Sequence, residues 1–120
     1  MGKKVLLIED SPTVLGIIQA ALEDEGYEVI PAVDGQEGIK KAEVDQPDLV
    51  IIDTILPDID GFAVCEKIRD LYGQKIPKII IMTGAFAAID AEKARAAGAD
   101  DYCAKTSDIS NIVVAAKELV

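Results

Sequence analysis

Apolar residues along this chain fall into short, nearly continuous blocks, separated by longer stretches in which they recur every three or four positions. The blocks are Lys4–Ile8, Glu28–Ala32, Asp48–Ile52, Lys78–Met82 and Asp101–Ala104. Too short for helices and mostly without polar alternation, they read as strands buried on both faces, the signature of a parallel sheet. The second block contains Pro31, which removes a ladder donor and suits an edge strand.

The intervening stretches carry helix punctuation. Ser11 is placed to cap a first helix, with Pro12 at its first position and Gly26 at its end; Val14, Leu15, Ile18 and Leu22 form one stripe toward the sheet. Asp34 and Glu37 have the spacing of a capping box for a second helix. Asp60 is placed to cap a third, whose inner stripe is Val64, Ile68 and Leu71 and whose stop is Gly73. Gly98 ends an alanine-rich fourth helix, and Asp108 or Ser110 starts a fifth that runs to Val120. Strands alternating with helices predict an α/β fold: a doubly wound, five-stranded parallel sheet with five helices and right-handed crossovers.

Composition narrows the picture. A chain of 120 residues fits one domain, spanning 1–120. Half the residues are hydrophobic and few are aromatic, so the core must be aliphatic. With 22 acidic against 12 basic residues the net charge is −10, a field that repels nucleic acid, so no direct nucleic-acid binding by this segment is expected. No apolar stretch approaches the roughly 20 residues that cross a bilayer. Met1-Gly2-Lys3-Lys4 leads straight into a strand with no signal-peptide h-region. A cytoplasmic protein without membrane attachment is expected. Cys65 and Cys103 lack metal-ligand spacing and the chain has no histidine, which argues against zinc and for buried free thiols.

Chemistry gathers where the apolar blocks end. Val5–Ile8 runs into Glu9-Asp10, Leu49–Ile52 into Asp53, Ile79–Met82 into Thr83, and Tyr102–Ala104 into Lys105. In open α/β sheets, ligands bind outside the carboxyl ends of the strands near the topological switch point. The second strand ends in Pro31-Ala32-Val33, which offers no such group. The order 2-1-3-4-5 explains this, because it sends strand two to an edge and makes the other four contiguous. Singly, each residue has an ordinary reading: Asp53 a turn residue, Glu9-Asp10 a capping pair, Thr83 a strand residue, Lys105 a surface charge. Converging at strand ends, they describe a site for a metal ion and a phosphoryl group. Asp58, Asp60, Asp100 and Asp101 read as caps, loop residues and solvated charges.

Over essentially its whole length the chain resembles the receiver domain of two-component response regulators, chemotaxis regulators included. The resemblance rests on Glu9-Asp10, on the segment from Asp53 through Leu56-Pro57-Asp58-Ile59-Asp60-Gly61, on Thr83-Gly84-Ala85, and on Tyr102-Cys103-Ala104-Lys105. It implies the same strand order and a phosphoacceptor role for Asp53, loaded from a phosphohistidine on a sensor histidine kinase or phosphotransfer protein. It also implies Mg²⁺ held by Glu9, Asp10, Asp53 and the backbone carbonyl of Ile55. Three carboxylates against one lysine leave such a site about two charges negative, a setting that favours a hard divalent cation. Lys105 and Thr83 would contact phosphoryl oxygens. Thr83 and Tyr102 would then switch the face formed by helix four, strand five and helix five toward a downstream effector or a fused output domain. A receiver is not an enzyme in the usual sense, since it catalyses only its own phosphorylation and dephosphorylation.

A haloacid-dehalogenase-type phosphatase is the alternative, but there an Asp-x-Asp-x-Thr pattern ends the first strand, where this chain has Glu9-Asp10-Ser11-Pro12. A flavin or nucleotide module is disfavoured because no glycine-rich loop follows the first strand. The chain departs from the family pattern at Thr106, which follows Lys105 where proline in a cis bond is usual. A cis bond before a non-proline residue costs roughly 2.5–4 kcal/mol, so a differently shaped loop is expected. Ile55 and Ala85 are apolar where they would flank water attacking an acyl phosphate, which predicts slow dephosphorylation. The alanines of helix four, from Ala85 to Ala99, bury little area and predict a weakly held element.

Overall fold

The computed structural model describes residues 2–73, 77–84, 88–105 and 109–120. Strands β1 (Lys4–Ile8), β2 (Glu28–Ala32), β3 (Leu49–Asp53), β4 (Lys78–Thr83) and β5 (Asp101–Ala104) form one parallel sheet in the order β2-β1-β3-β4-β5. Helices α1 (Pro12–Asp24), α2 (Gly35–Asp45), α3 (Gly61–Tyr72), α4 (Ala88–Ala96) and α5 (Ser110–Leu119) connect and follow them. This is the flavodoxin-like doubly wound arrangement.

Strand alternation divides the core. Leu6, Ile8, Val50, Ile52, Ile79 and Ile81 face one layer with Ala42 of α2, Val64 and Ile68 of α3, and Ala94 of α4. Val5, Leu7, Leu49, Ile51, Ile80 and Met82 face the other, with Ile18 and Leu22 of α1 and Ile112 and Ala116 of α5. Successive residues feed opposite layers, which is why the central strands had to be apolar throughout. β3 and β4 each run one residue beyond the expected ends, to Asp53 and Thr83, because Asp53 still pairs with Met82 and Thr83 with Ala104. Asp48, expected to open β3, lies before it and accepts the Lys4 N–H at 2.8 Å.

Most helix punctuation is where the sequence predicts it. Ser11 Oγ accepts the Val14 N–H at 3.4 Å, and Gly26 follows α1 with φ +94°. Asp34 accepts the Glu37 N–H at 2.8 Å, but the Glu37 carboxylate takes the Val33 N–H, one residue before the position a full capping box would use. Asp60 accepts the Phe62 N–H at 2.7 Å. Leu71 is a correction: it is 49% exposed, and the inner face of α3 is completed by Phe62, Cys65 and Arg69, which share the 3.6-residue period with Val64 and Ile68. α5 opens at Ser110 with no side-chain cap at Ile109; Asp108, Thr106, Ala85 and Ala87 lie outside the described residues. The cysteines are free and buried, and burial above all pushes their thiols up, Cys65 to about 12 and Cys103 to about 11.

Asp100, expected among the caps, loop residues and solvated charges, is exposed but ion-paired. Arg69, only 4% exposed, donates from Nε to the Gly98 carbonyl at 2.7 Å and from Nη1 to the carbonyls of Pro77 at 2.6 Å and Gly73 at 3.3 Å. Its Nη2 donates to Asp100 Oδ2 at 2.7 Å, and the same oxygen accepts the Ile79 N–H at 2.8 Å. This cluster fastens α3 to the amino ends of β4 and β5.

Candidate functional site

The carboxyl ends of β1, β3 and β4, with the residue that follows β5, build a compact acidic site. Glu9 continues the ladder one step past β1, its N–H donating to the Ala32 carbonyl at 2.9 Å, and its side chain is fully buried. Asp53 is 3% exposed, whereas Asp10 faces solvent. Carboxylate oxygens of Glu9, Asp10 and Asp53 all lie within 4.8 Å of one another. Lys105 Nζ donates to Glu9 Oε1 and to Asp53 Oδ2, each at 3.0 Å. Backbone bonds hold the strand ends in step: the Lys105 N–H donates to the Thr83 carbonyl at 2.6 Å and the Thr54 N–H to the Met82 carbonyl at 3.0 Å.

Charge is unbalanced here. Burial raises the Glu9 pKa; the Ser11 N–H and Lys105 pull it down, the charge of Asp53 pushes it up, and the net direction is upward. Burial opposes the charge on Lys105, but the hydrogen bonds it donates to Asp53 and Glu9 outweigh it and hold the ammonium above its ordinary value. Both groups keep their protons more tightly than in water, as expected where three carboxylates face one ammonium. Oxygen-only donors, converging and short of positive charge, fit a hard divalent cation such as Mg²⁺ better than a softer metal that seeks thiolate or imidazole.

Glu9, Asp10, Asp53 and Lys105 are therefore brought together as the sequence predicts. Thr83, buried at the end of β4, is reached by the Thr54 hydroxyl at 3.3 Å, a neighbour that sequence reasoning missed and that only the β3–β4 pairing reveals. The Ile55 side chain is 78% exposed beside Asp53. Tyr102 is half-buried opposite Ile81 and packs against the layer of α2, α3 and α4. With Ala91, Ala94, Arg95, Ala99, Asp100 and Asp101 it lines a cleft of about 470 Å³ between α4 and β5. Gly61 lets the chain fold back on the site: its N–H donates to the Thr54 carbonyl at 3.0 Å, and a Cβ there would collide with the Asp53 carbonyl oxygen.

A family model described as the response regulator receiver domain matches residues 5–117. The chain belongs to this family. The receiver is 40% identical over 106 residues to the alkaline phosphatase synthesis transcriptional regulatory protein PhoP of Bacillus subtilis, covering 88% of its own length and 43% of that protein's. It spans about half the length of the curated relatives it matches. Among solved structures, chemotaxis protein CheY4 of Vibrio cholerae matches over 100% of both chains with a TM-score of 0.92 at 26% identity. The response regulator TrrA of Thermotoga maritima, solved in complex with Mg(2+)-BeF, matches 98% of this chain and 99% of its own, with a TM-score of 0.88 at 30% identity. A receiver is a signalling domain, which replaces the phosphatase alternative.

Proposed function

We propose that Asp53 accepts a phosphoryl group from a phosphohistidine on a sensor histidine kinase or phosphotransfer protein, and that the receiver passes the event on as a change of surface. The observation that carries this reading is the convergence of Glu9, Asp10 and Asp53 within 4.8 Å, with Lys105 bonded to two of them. Glu9, Asp10, Asp53 and the backbone carbonyl of Ile55 would hold Mg²⁺. That ion, when bound, offsets the negative charge that would repel a phosphodonor and polarises the phosphoryl oxygens. A carboxylate oxygen of Asp53 attacks phosphorus as the bond to the donor imidazole nitrogen breaks, leaving an acyl phosphate and a free histidine. Lys105 then exchanges a carboxylate partner for a phosphoryl oxygen, and the Thr83 hydroxyl donates to another.

Repositioning Thr83 would bias Tyr102 and the face formed by α4, β5 and α5, a population shift limited by how differently the phosphate binds the two states. The recipient is a downstream effector or a fused output domain. Since this segment carries a net charge of −10, any output on DNA falls to other parts of a longer protein. Among the described residues no helix is long and apolar enough to cross a membrane, and two free buried thiols suit the cytoplasm, where we place the receiver.

Transfer from a radiolabelled phosphohistidine donor in Mg²⁺ tests the core of this reading. The wild-type chain takes up one label and Asp53→Ala takes up none; label retained on the variant, or repeated release of phosphate from small esters, defeats it. The exposed Ile55 offers attacking water no polar partner, so the purified phosphoprotein is expected to persist well beyond seconds in Mg²⁺, which the decay of the label measures directly.

A further inference from the structure

The loop between β3 and α3, residues 54–60, is tied to an element outside the site. Asp58 Oδ1 accepts the Gly35 N–H of α2 at 2.7 Å and the Ile59 N–H of its own loop at 2.8 Å, while Oδ2 accepts the Gln36 N–H at 2.9 Å. The two α2 donors lie more than twenty positions away in the chain. α2 has caps of its own: Asp34 takes the Glu37 N–H through its side chain and the Gly38 N–H through its carbonyl. A second carboxylate from a distant loop adds to the helix, but its distinctive consequence falls on the loop.

Close packing points the same way. A Cβ on Gly35 would come within 3.0 Å of both Ile59 Cβ and Val64 Cγ2 and within 3.2 Å of Asp58 Oδ1, so the loop sits against α2 at a distance that favours glycine. At its ends the loop is closed by Thr54 onto Met82 and by Gly61 onto Thr54. Leu56 and Ile59 lean on the core, but the Ile55 side chain points into solvent and cannot hold its own backbone by packing. The Ile55 N–H makes only a long 3.4 Å contact with Asp53 Oδ1. Desolvation works against the charge on Asp58, yet the N–H groups of Gln36, Gly35 and Ile59 outweigh it and keep the carboxyl below its ordinary value, so it stays ionised as a tether.

We propose that Asp58 is a positioning residue for the cation site: by pinning the β3–α3 loop to the amino end of α2, it holds the Ile55 backbone where its carbonyl serves as a ligand. This rests on the cation reading given above. Outer groups that orient metal ligands typically affect affinity by tenfold or more, which sets the scale of the test.

The probe is Mn²⁺ alone, with free ion counted by its electron paramagnetic resonance signal against the metal-free chain, after circular dichroism has established that each variant is folded. Asp58→Ala should weaken Mn²⁺ binding about tenfold. Asp58→Asn keeps the oxygen that accepts from Gly35 and Ile59 and should bind close to wild type. Asp34→Ala removes a charge and a cap from the same helix end and should leave affinity unchanged. Gly35→Ala displaces the loop without altering charge and should weaken binding, which keeps the test decisive if Asp58→Ala does not fold. Binding by Asp58→Ala equal to wild type, an equal loss in Asp34→Ala, or Asn behaving as Ala overturns the positioning role. Mn²⁺ binding that ignores Asp53→Asn overturns the cation site itself, and the positioning role with it.

Discussion

Two ionic clusters, each built around a buried charge, sit at opposite ends of the same sheet, and their difference is one of charge stoichiometry. At the amino ends of β4 and β5, one guanidinium meets one carboxylate, and the carbonyls of Gly73, Pro77 and Gly98 take further donors. Charge there is balanced, and the guanidinium donates to four acceptors. At the carboxyl ends, three carboxylates converge on one ammonium, and Glu9 and Lys105 both bind protons more tightly than they would in water. The first cluster is a lock, because its one positive and one negative charge already meet and the guanidinium ties three separate backbone carbonyls together. The second carries an excess of negative charge, the physical condition under which the cation and phosphoryl group proposed above would be stabilised.

Removing a partner from the closed cluster should have the largest effect on stability. Arg69→Ala leaves the carbonyls of Pro77 and Gly98 without their donor and Asp100 without its cation, and should cost about 3 kcal/mol in denaturant unfolding, while the folded fraction still accepts phosphate. The pair between Lys117 and Glu25 has similar ions at 2.9 Å but lies in solvent, so Lys117→Ala should barely register in the same assay. An Arg69→Ala chain as stable as Lys117→Ala would show that the buried cluster is not a lock.

The open cluster should respond in the opposite sense. Mg²⁺ at ten times its dissociation constant should stabilise the chain by about 1.4 kcal/mol, an increment that survives in folded Arg69→Ala and vanishes in Asp53→Asn. Without metal, Asp53→Asn should itself stabilise the fold by about 1 kcal/mol, because it relieves repulsion that the site maintains for function. A variant less stable than wild type without metal would contradict the charge imbalance.

The smallest expected effect is a pH slope. The folded-state pKa of Glu9 is raised, chiefly by burial, so the native state holds that proton more tightly than the unfolded chain. Its contribution is complete below the ordinary value of 4.5 and is lost as pH rises through the folded value. Metal-free wild type should therefore lose stability relative to Glu9→Gln over that interval, and saturating Mg²⁺ should flatten the difference. Paired urea titrations across the acid range measure it, and a wild type that gains stability relative to Glu9→Gln as pH rises would reverse the sign argued here.

Much of this molecule was legible in one dimension. The apolar blocks located all five strands to within a residue, because strands covered on both faces are apolar almost throughout and take polar residues mainly at their ends. The site was legible for a related reason: in a parallel sheet every strand points the same way, so residues ending separate blocks must meet at one edge. The absence of chemistry after Ala32 was enough to send β2 to the outside.

The two closed devices were not legible. Nothing about Arg69 on a helix, or Asp100 and Asp58 in loops, marks them as partners of groups 21 to 31 positions away. Leu71 was assigned inward because it keeps helical spacing with Val64 and Ile68, whereas the face that reached the sheet was the one able to bury an arginine with its acceptors. Sequence by itself determined the strands, their order and the residues gathered at the carboxyl edge, since periodicity and chain direction are local and additive. Tertiary structure alone decided which charges are neutralised and which are left in excess, because a buried charge is valued by the partners within hydrogen-bonding reach, and those come from anywhere in the chain.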